Sequence, residues 1–158
     1  MIIVDIFAGN YECMKVQQIV IASDHAGYKL KKSIIKHFSK SIYFTDLGTH
    51  SADSCDYPDY AHKACIAITR GEIKKGILIC GSGNGMTMAA NKHQMVRCAL
   101  AWNVEIAQLA RQHNDANVLS LPARFISEQE AFDIVEAFMV TEFEGGRHEN
   151  RVRKIAEY

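Results

Sequence analysis

Residues 76–85 read Gly-Ile-Leu-Ile-Cys-Gly-Ser-Gly-Asn-Gly, which sets a thiol, Cys80, at the end of a short apolar run with Gly81, Gly83 and Gly85 directly behind it. An apolar run of that length bounded by glycine reads as a buried strand. The Met-Thr-Met-Ala-Ala-Asn-Lys that follows reads as the opening of a helix. Removing every second side chain lets backbone N–H groups converge on an anion, and the helix behind adds the positive end of its dipole. The same field favours negative charge on the Cys80 sulfur. One loop therefore combines a site for an anionic oxygen with a base or nucleophile. No Gly-Lys-Ser/Thr follows, so the loop is not a Walker A motif, and Met86 stands where the third glycine of G-x-G-x-x-G belongs, so it is not a dinucleotide fingerprint.

Four further groups carry chemistry. Asp24-His25-Ala26-Gly27 offers a charged pair, with Asp24 read either as a ligand contact or as a helix cap. In Asp56-Tyr57-Pro58 the proline holds Tyr57 extended, where it either packs or faces a ligand. Arg147 and Arg151 are four apart and share one helical face, so two guanidiniums can fork onto a phosphate or form a solvated basic face; Arg124 is a third anion ligand. Arg111-Gln112-His113-Asn114-Asp115 places an imidazole suited to acid–base work near neutral pH. The remaining histidines and cysteines show no metal-ligand grouping along the chain, with some reserve about His148, which lies between the two arginines.

The elements that must position these groups alternate regularly. Strands are read at 18–23, 41–46, 76–80, 96–101 and 117–121. Helices are read at 28–38, from Pro58 to about 69, from the glycine loop to about 92, at 104–112, and to about 139 from a Ser127/Glu130 capping box. Such alternation predicts a doubly wound, three-layer α/β/α sandwich on a five-stranded parallel sheet, Rossmann-like, with strand order 2-1-3-4-5. A polar helix at 147–158 closes the chain. In such a sheet Cys80 and Asp24 lie at the carboxyl edge, whereas His113, between a helix and the next strand, lies at the amino edge. If both serve one reaction, His113 comes from a second subunit.

The chain of 158 residues is long enough for one domain, and 18 basic residues balance 18 acidic ones, so no net field draws nucleic acid or a membrane surface. Five cysteines without a C-x-x-C pair argue against a disulfide framework or zinc site and fit a reducing, cytoplasmic setting. Met1-Ile-Ile-Val is broken by Asp5 and has no basic leader, which makes a poor signal peptide. Residues 1–17 read as an extension, with Met14 as an alternative start, and 18–158 as the single domain.

Ser23-Asp-His-Ala-Gly, Asp56-Tyr-Pro, Cys80-Gly-Ser-Gly-Asn-Gly, Ala89-Ala-Asn-Lys, Arg111-Gln-His-Asn-Asp and Glu144-Gly-Gly-Arg-His-Glu-Asn-Arg, taken in order, closely resemble the type B ribose-5-phosphate isomerases, a family that includes galactose-6-phosphate isomerase subunits. The resemblance covers residues 18–158. It implies interconversion of ribose 5-phosphate and ribulose 5-phosphate through an enediolate, with no cofactor and no metal, in a homo-oligomer (a dimer or dimer of dimers) whose active site is shared between subunits. By the same resemblance Cys80 is the base and the partner's copy of His113 assists ring opening. Ser82 relays a proton, and the N–H groups of Gly81 to Gly85, including Gly83 and Asn84, stabilise the enediolate. Asp24, Tyr57 and Asn114 hold the sugar; His25, Arg124, Arg147 and Arg151 surround the phosphate. One branch of the family lacks the cysteine and carries Glu after the last glycine; Met86 occupies that position here, so the chain depends on Cys80.

Three rival readings stand beside this one. The nearest is the same chemistry on a six-carbon phosphate, allose 6-phosphate or galactose 6-phosphate. A flavodoxin-like nucleotide-binding module is disfavoured by Met86, and a thiol redox role by the lack of a nearby resolving cysteine.

Overall fold

The computed structural model describes residues 17–157, so the 1–17 extension, apart from Gln17, lies outside the described residues. Five short, largely apolar runs become strands: β1 (Gln17–Ser23), β2 (Ile42–Asp46), β3 (Gly76–Cys80), β4 (Cys98–Leu100) and β5 (Val118–Pro122). Six amphipathic segments become helices: α1 (Tyr28–His37), α2 (Tyr57–Thr69), α3 (Asn84–Ala90), α4 (Val104–Asn114), α5 (Glu128–Val140) and α6 (Arg147–Ile155). The local signals act as expected. Pro58 sits in the first turn of α2, and Ser127 and Glu130 form a reciprocal capping box on α5.

All strands pair in parallel, in the order β2-β1-β3-β5-β4. The expected order 2-1-3-4-5 is therefore corrected at its far edge, where the last two strands exchange places. Each residue of β5 is buried, and the strand has neighbours on both sides. Of the three residues of β4 only Cys98 is buried, Ala99 and Leu100 being partly exposed, and a short strand of this kind suits an edge.

Alternation along the strands splits the core in two. Ile19, Ile21, Ile77, Ile79, Leu119 and Leu121 pack with Ile34, Ile134 and Phe138 of α1 and α5 on one face. Val20, Ala22, Leu78 and Val118 pack with Ala61, Cys65 and Met86 of α2 and α3 on the other. From β1 the chain runs outward to β2 and then returns to β3 on the opposite side, so the carboxyl ends of β1 and β3 flank the switch point at which open α/β sheets form a crevice. Among the described residues no helix is long and apolar enough to cross a membrane.

Candidate active site

The crevice is a cavity of about 400 Å³ lined by Asp24, His25, Ala26, Tyr57, Cys80, Gly81, Ser82, Gly85, Arg124 and Phe125. Four connections supply these residues. Asp24 and His25 follow β1; its Asp24 carboxylate accepts the Gly27 N–H at 3.0 Å, so Asp24 both caps a turn and lines the cavity. His25 Nδ1 accepts the Cys55 N–H at 3.3 Å, which makes Nε2 the nitrogen that carries hydrogen in the neutral ring. Tyr57 opens α2 and is 39% exposed, its ring lying across Gly85.

The glycine loop turns sharply because Gly83 has φ +76, and an added Cβ there would collide with Leu100. Gly83 O accepts the buried Ser120 hydroxyl at 2.9 Å and the Thr87 hydroxyl at 2.8 Å. That turn points Gly83 inward, so neither it nor Asn84 lines the cavity, whereas Gly81, Ser82 and Gly85 do. The N–H groups of Gly81, Ser82 and Gly83 have no acceptor among the described residues, which leaves donors in the loop for an anionic oxygen. Ser82 Oγ accepts only a long 3.4 Å contact from the Asn84 N–H.

Cys80 ends β3 at 4% exposure and faces this space. Cys65 and Cys98 lie in the interior, where burial pushes the Cys65 thiol up to about 12 and Cys98 higher still. Those two are structural thiols, and Cys80 is the one the cavity can use.

Arg124 is brought in by the ladder running past β5: Ala123 N–H donates to Cys80 O at 2.9 Å and Arg124 N–H to Gly81 O at 3.0 Å. Its guanidinium then lies over Gly81, 3.3 Å from where a Cβ would stand. Phe125, 73% exposed, completes the wall; its sequence signal was only its place beyond a strand's carboxyl end.

His113, Asn114, Arg147 and Arg151, expected around the substrate, do not meet the cavity of their own chain. Register puts Val118 beside Gly76 and Pro122 beside Cys80, so the start of β5 lies four residues, about 13 Å, from the thiol. His113 is in the last turn of α4, at that amino edge. There its ring stacks on His148 of α6, centroids 4.3 Å apart and planes within 4°. Both Nε2 atoms face Glu144 Oε2, at 3.9 Å from His113 and 3.7 Å from His148. His148 is thus buried in a grouping that the linear sequence did not reveal. Burial, then His113, Arg147 and Arg151, hold its imidazole below the ordinary value, opposed by Glu144. The two imidazoles and the carboxylate have the composition of a metal site, their atoms within 4.8 Å of one another. Arg147 Nε, 3.4 Å from His148 Nε2, competes for that lone pair and repels a cation.

The ribose/galactose isomerase family profile matches residues 19–155. A Rickettsia bellii protein whose name goes no further than sugar phosphate isomerase is 48% identical over 90% of this chain and 99% of its own. The Escherichia coli ribose-5-phosphate isomerase B is 40% identical over 89% of this chain and 95% of its own. Among solved structures, the Mycoplasma genitalium ribose-5-phosphate isomerase B with bound ribulose 5-phosphate superposes with a TM-score of 0.86 at 45% identity, covering 89% of this chain and 95% of that one.

Proposed function

The chain belongs to the ribose/galactose isomerase family, and from that premise we propose that it interconverts D-ribose 5-phosphate and D-ribulose 5-phosphate. The observation that carries this reading is the cavity itself: a thiol, Cys80, beside unengaged backbone N–H groups, with Asp24, Tyr57 and Arg124 around it. Its relative from Mycoplasma genitalium holds ribulose 5-phosphate.

In this reading the furanose opens first. A proton leaves the C1 hydroxyl, the C1–O4 bond breaks and the ring oxygen takes a proton, giving the open aldehyde. Cys80, as thiolate, then removes the C2 proton. The electron pair moves into the C1–C2 bond and the carbonyl oxygen becomes anionic, where the loop N–H groups meet it. Ser82 moves a proton between the two oxygens, and the proton held on sulfur is returned to C1. Asp24 and Tyr57 hold sugar hydroxyls, His25 donates its Nε2 hydrogen to the phosphate, and Arg124 neutralises phosphate charge.

The amino-edge residues enter from a second copy of the chain, His113 serving ring opening, Asn114 the sugar, and Arg147 and Arg151 the phosphate. Such a shared site makes the oligomer obligatory for activity.

The test is ribulose 5-phosphate formation from ribose 5-phosphate with EDTA present, for wild type and Cys80→Ala together, with allose 6-phosphate and galactose 6-phosphate in parallel. Activity that survives chelation and disappears with the thiol is expected, with a higher kcat/KM on the five-carbon substrate. A wild type active only on six-carbon phosphates would overturn the pentose assignment.

A further inference from the structure

Glu144 has no part in the chemistry above, yet the fold holds it deliberately. Its N–H donates to Gln112 O at 3.1 Å, tying the segment after α5 to the last turn of α4. The Gly145-Gly146 turn then swings α6 back so that His148 covers one face of the His113 ring. On the His148 ring that covers His113 converge Arg147 and Arg151 from α6 and Glu144 from the preceding segment, and among the described residues Glu144 is the only anionic neighbour of His113 within ion-pair distance.

We propose that Glu144 is a positioning residue for His113: with the His148 ring as a stacking plate, its carboxylate fixes the orientation and tautomer of the imidazole that acts in ring opening. The inference rests on the ring-opening role proposed for His113. Glu144 Oε2 stands 3.9 Å from His113 Nε2, within ion-pair but beyond hydrogen-bond distance, so its negative charge favours the hydrogen on Nε2 and leaves Nδ1 to take and return a proton. His148, buried and held neutral, brings no second charge to the stack.

The experiment separates ring opening from enolisation. Ribulose 5-phosphate is acyclic, because phosphate occupies its C5 oxygen and the C4 hydroxyl is too close to the C2 carbonyl to close a ring. Exchange of its C1 hydrogen with deuterated solvent therefore needs Cys80 but no ring-opening group. Conversion of ribose 5-phosphate needs both. For Glu144→Gln the expected result is a kcat on ribose 5-phosphate lower by about tenfold, an unchanged KM and an unchanged exchange rate. The His113→Ala/Glu144→Gln double variant should be no slower than His113→Ala alone. Equal loss in both assays would overturn the inference, since damage to the fold slows both. So would a Glu144→Gln enzyme at wild-type rates beside a crippled His113→Ala. If His113→Ala itself converts ribose 5-phosphate normally, the proposed role of His113 fails and the inference with it; a wild type inactive in both assays identifies failure of the pentose reading.

Discussion

The ring of Tyr57 crosses Gly85 so closely that a Cβ on that glycine would stand 2.6 Å from Cζ and 2.7 and 2.9 Å from the adjacent ring carbons. The first turns of α2 and α3, from opposite sides of the switch point, are therefore fitted to each other, and the aromatic wall of the cavity depends on a missing methyl group.

Gly85→Ala should displace Tyr57 while leaving the sheet intact. Overpacking of this kind costs about 1–3 kcal/mol, but Tyr57 is half-exposed and can swing outward, so most of the effect falls on the site. We expect KM to rise by about tenfold, as 1.4 kcal/mol of lost binding requires, with the thermal midpoint nearly unchanged. Steady-state kinetics beside thermal melts decide it. A large fall in the midpoint with an unaltered KM would show that the close approach serves packing alone.

The cysteines give an independent check on the thiol assignment. Folded protein treated with iodoacetamide near pH 8 should be alkylated at Cys55, which is partly exposed, and at Cys80, which is buried but lines the cavity, and spared at Cys65 and Cys98, whose buried thiols are held in the protonated form. Peptide mass spectrometry reads this directly. The raised Cys65 value also has a stability consequence. In the folded state the thiol is held up to about 12 from an ordinary 9.0, so its neutral form is favoured there. Its contribution is complete below about pH 9 and is lost as pH rises toward the folded value. Urea midpoints should fall across that window, and less steeply in Cys65→Ala.

Much of this arrangement was legible in the residues. Alternating strands and helices mark the class, Pro58 and the Ser127/Glu130 pair mark helix starts, and Asp24, His25, Tyr57, Cys80 and Arg124, all near or beyond strand ends, line the cavity. What stayed hidden depends on distant partners. The exchange of β4 and β5 turns on which of two short apolar runs is enclosed, and β5 includes a fully buried Ser120 whose partner, Gly83 O, is 37 positions away. Lys31, one of several lysines in α1, is fully buried, its ammonium held by Asp46 at 2.5 Å and Thr49 O at 2.6 Å. His148 reads as part of a solvated tail, and only the turn before α6 lays it on His113.

Arg111, in the same motif as His113, is the anchor of the α4–β5 turn. Its guanidinium donates to Asp115 at 2.8 Å, to Ala116 O at 2.7 Å and to Thr141 O at 3.2 Å, and it lies over the Phe138 ring. Asp115 holds the left-handed C-cap at φ 44. Arg111→Met keeps the aliphatic stem but leaves buried acceptors without a donor, a loss of about 3–5 kcal/mol. Arg97, also on Asp115, is more exposed, and Arg97→Met should cost about 1 kcal/mol. Urea unfolding of the two variants measures the difference; equal costs would mean that the turn is not anchored from the interior.

The acid side of the stability curve should belong in part to His93, which is paired with His62. Their Nδ1 and Nε2 atoms are 2.8 Å apart, a distance at which one nitrogen donates and the other must accept. Burial, then the neighbouring His62, hold His93 below its ordinary 6.5. A depressed folded-state value favours the neutral ring in the native protein, while the unfolded chain takes up its proton more readily. The contribution is therefore present above about pH 6.5 and is lost as pH falls below it. His148, depressed in the same direction, adds to the same limb. Urea midpoints of wild type should drop between about pH 6.5 and 5, ahead of most carboxylate titration. His93→Gln should flatten that drop, and His93→Gln/His148→Gln should flatten it further. Superimposable curves for wild type and His93→Gln would mean that the pair opens in solution and that the fold does not hold the His93 ring neutral.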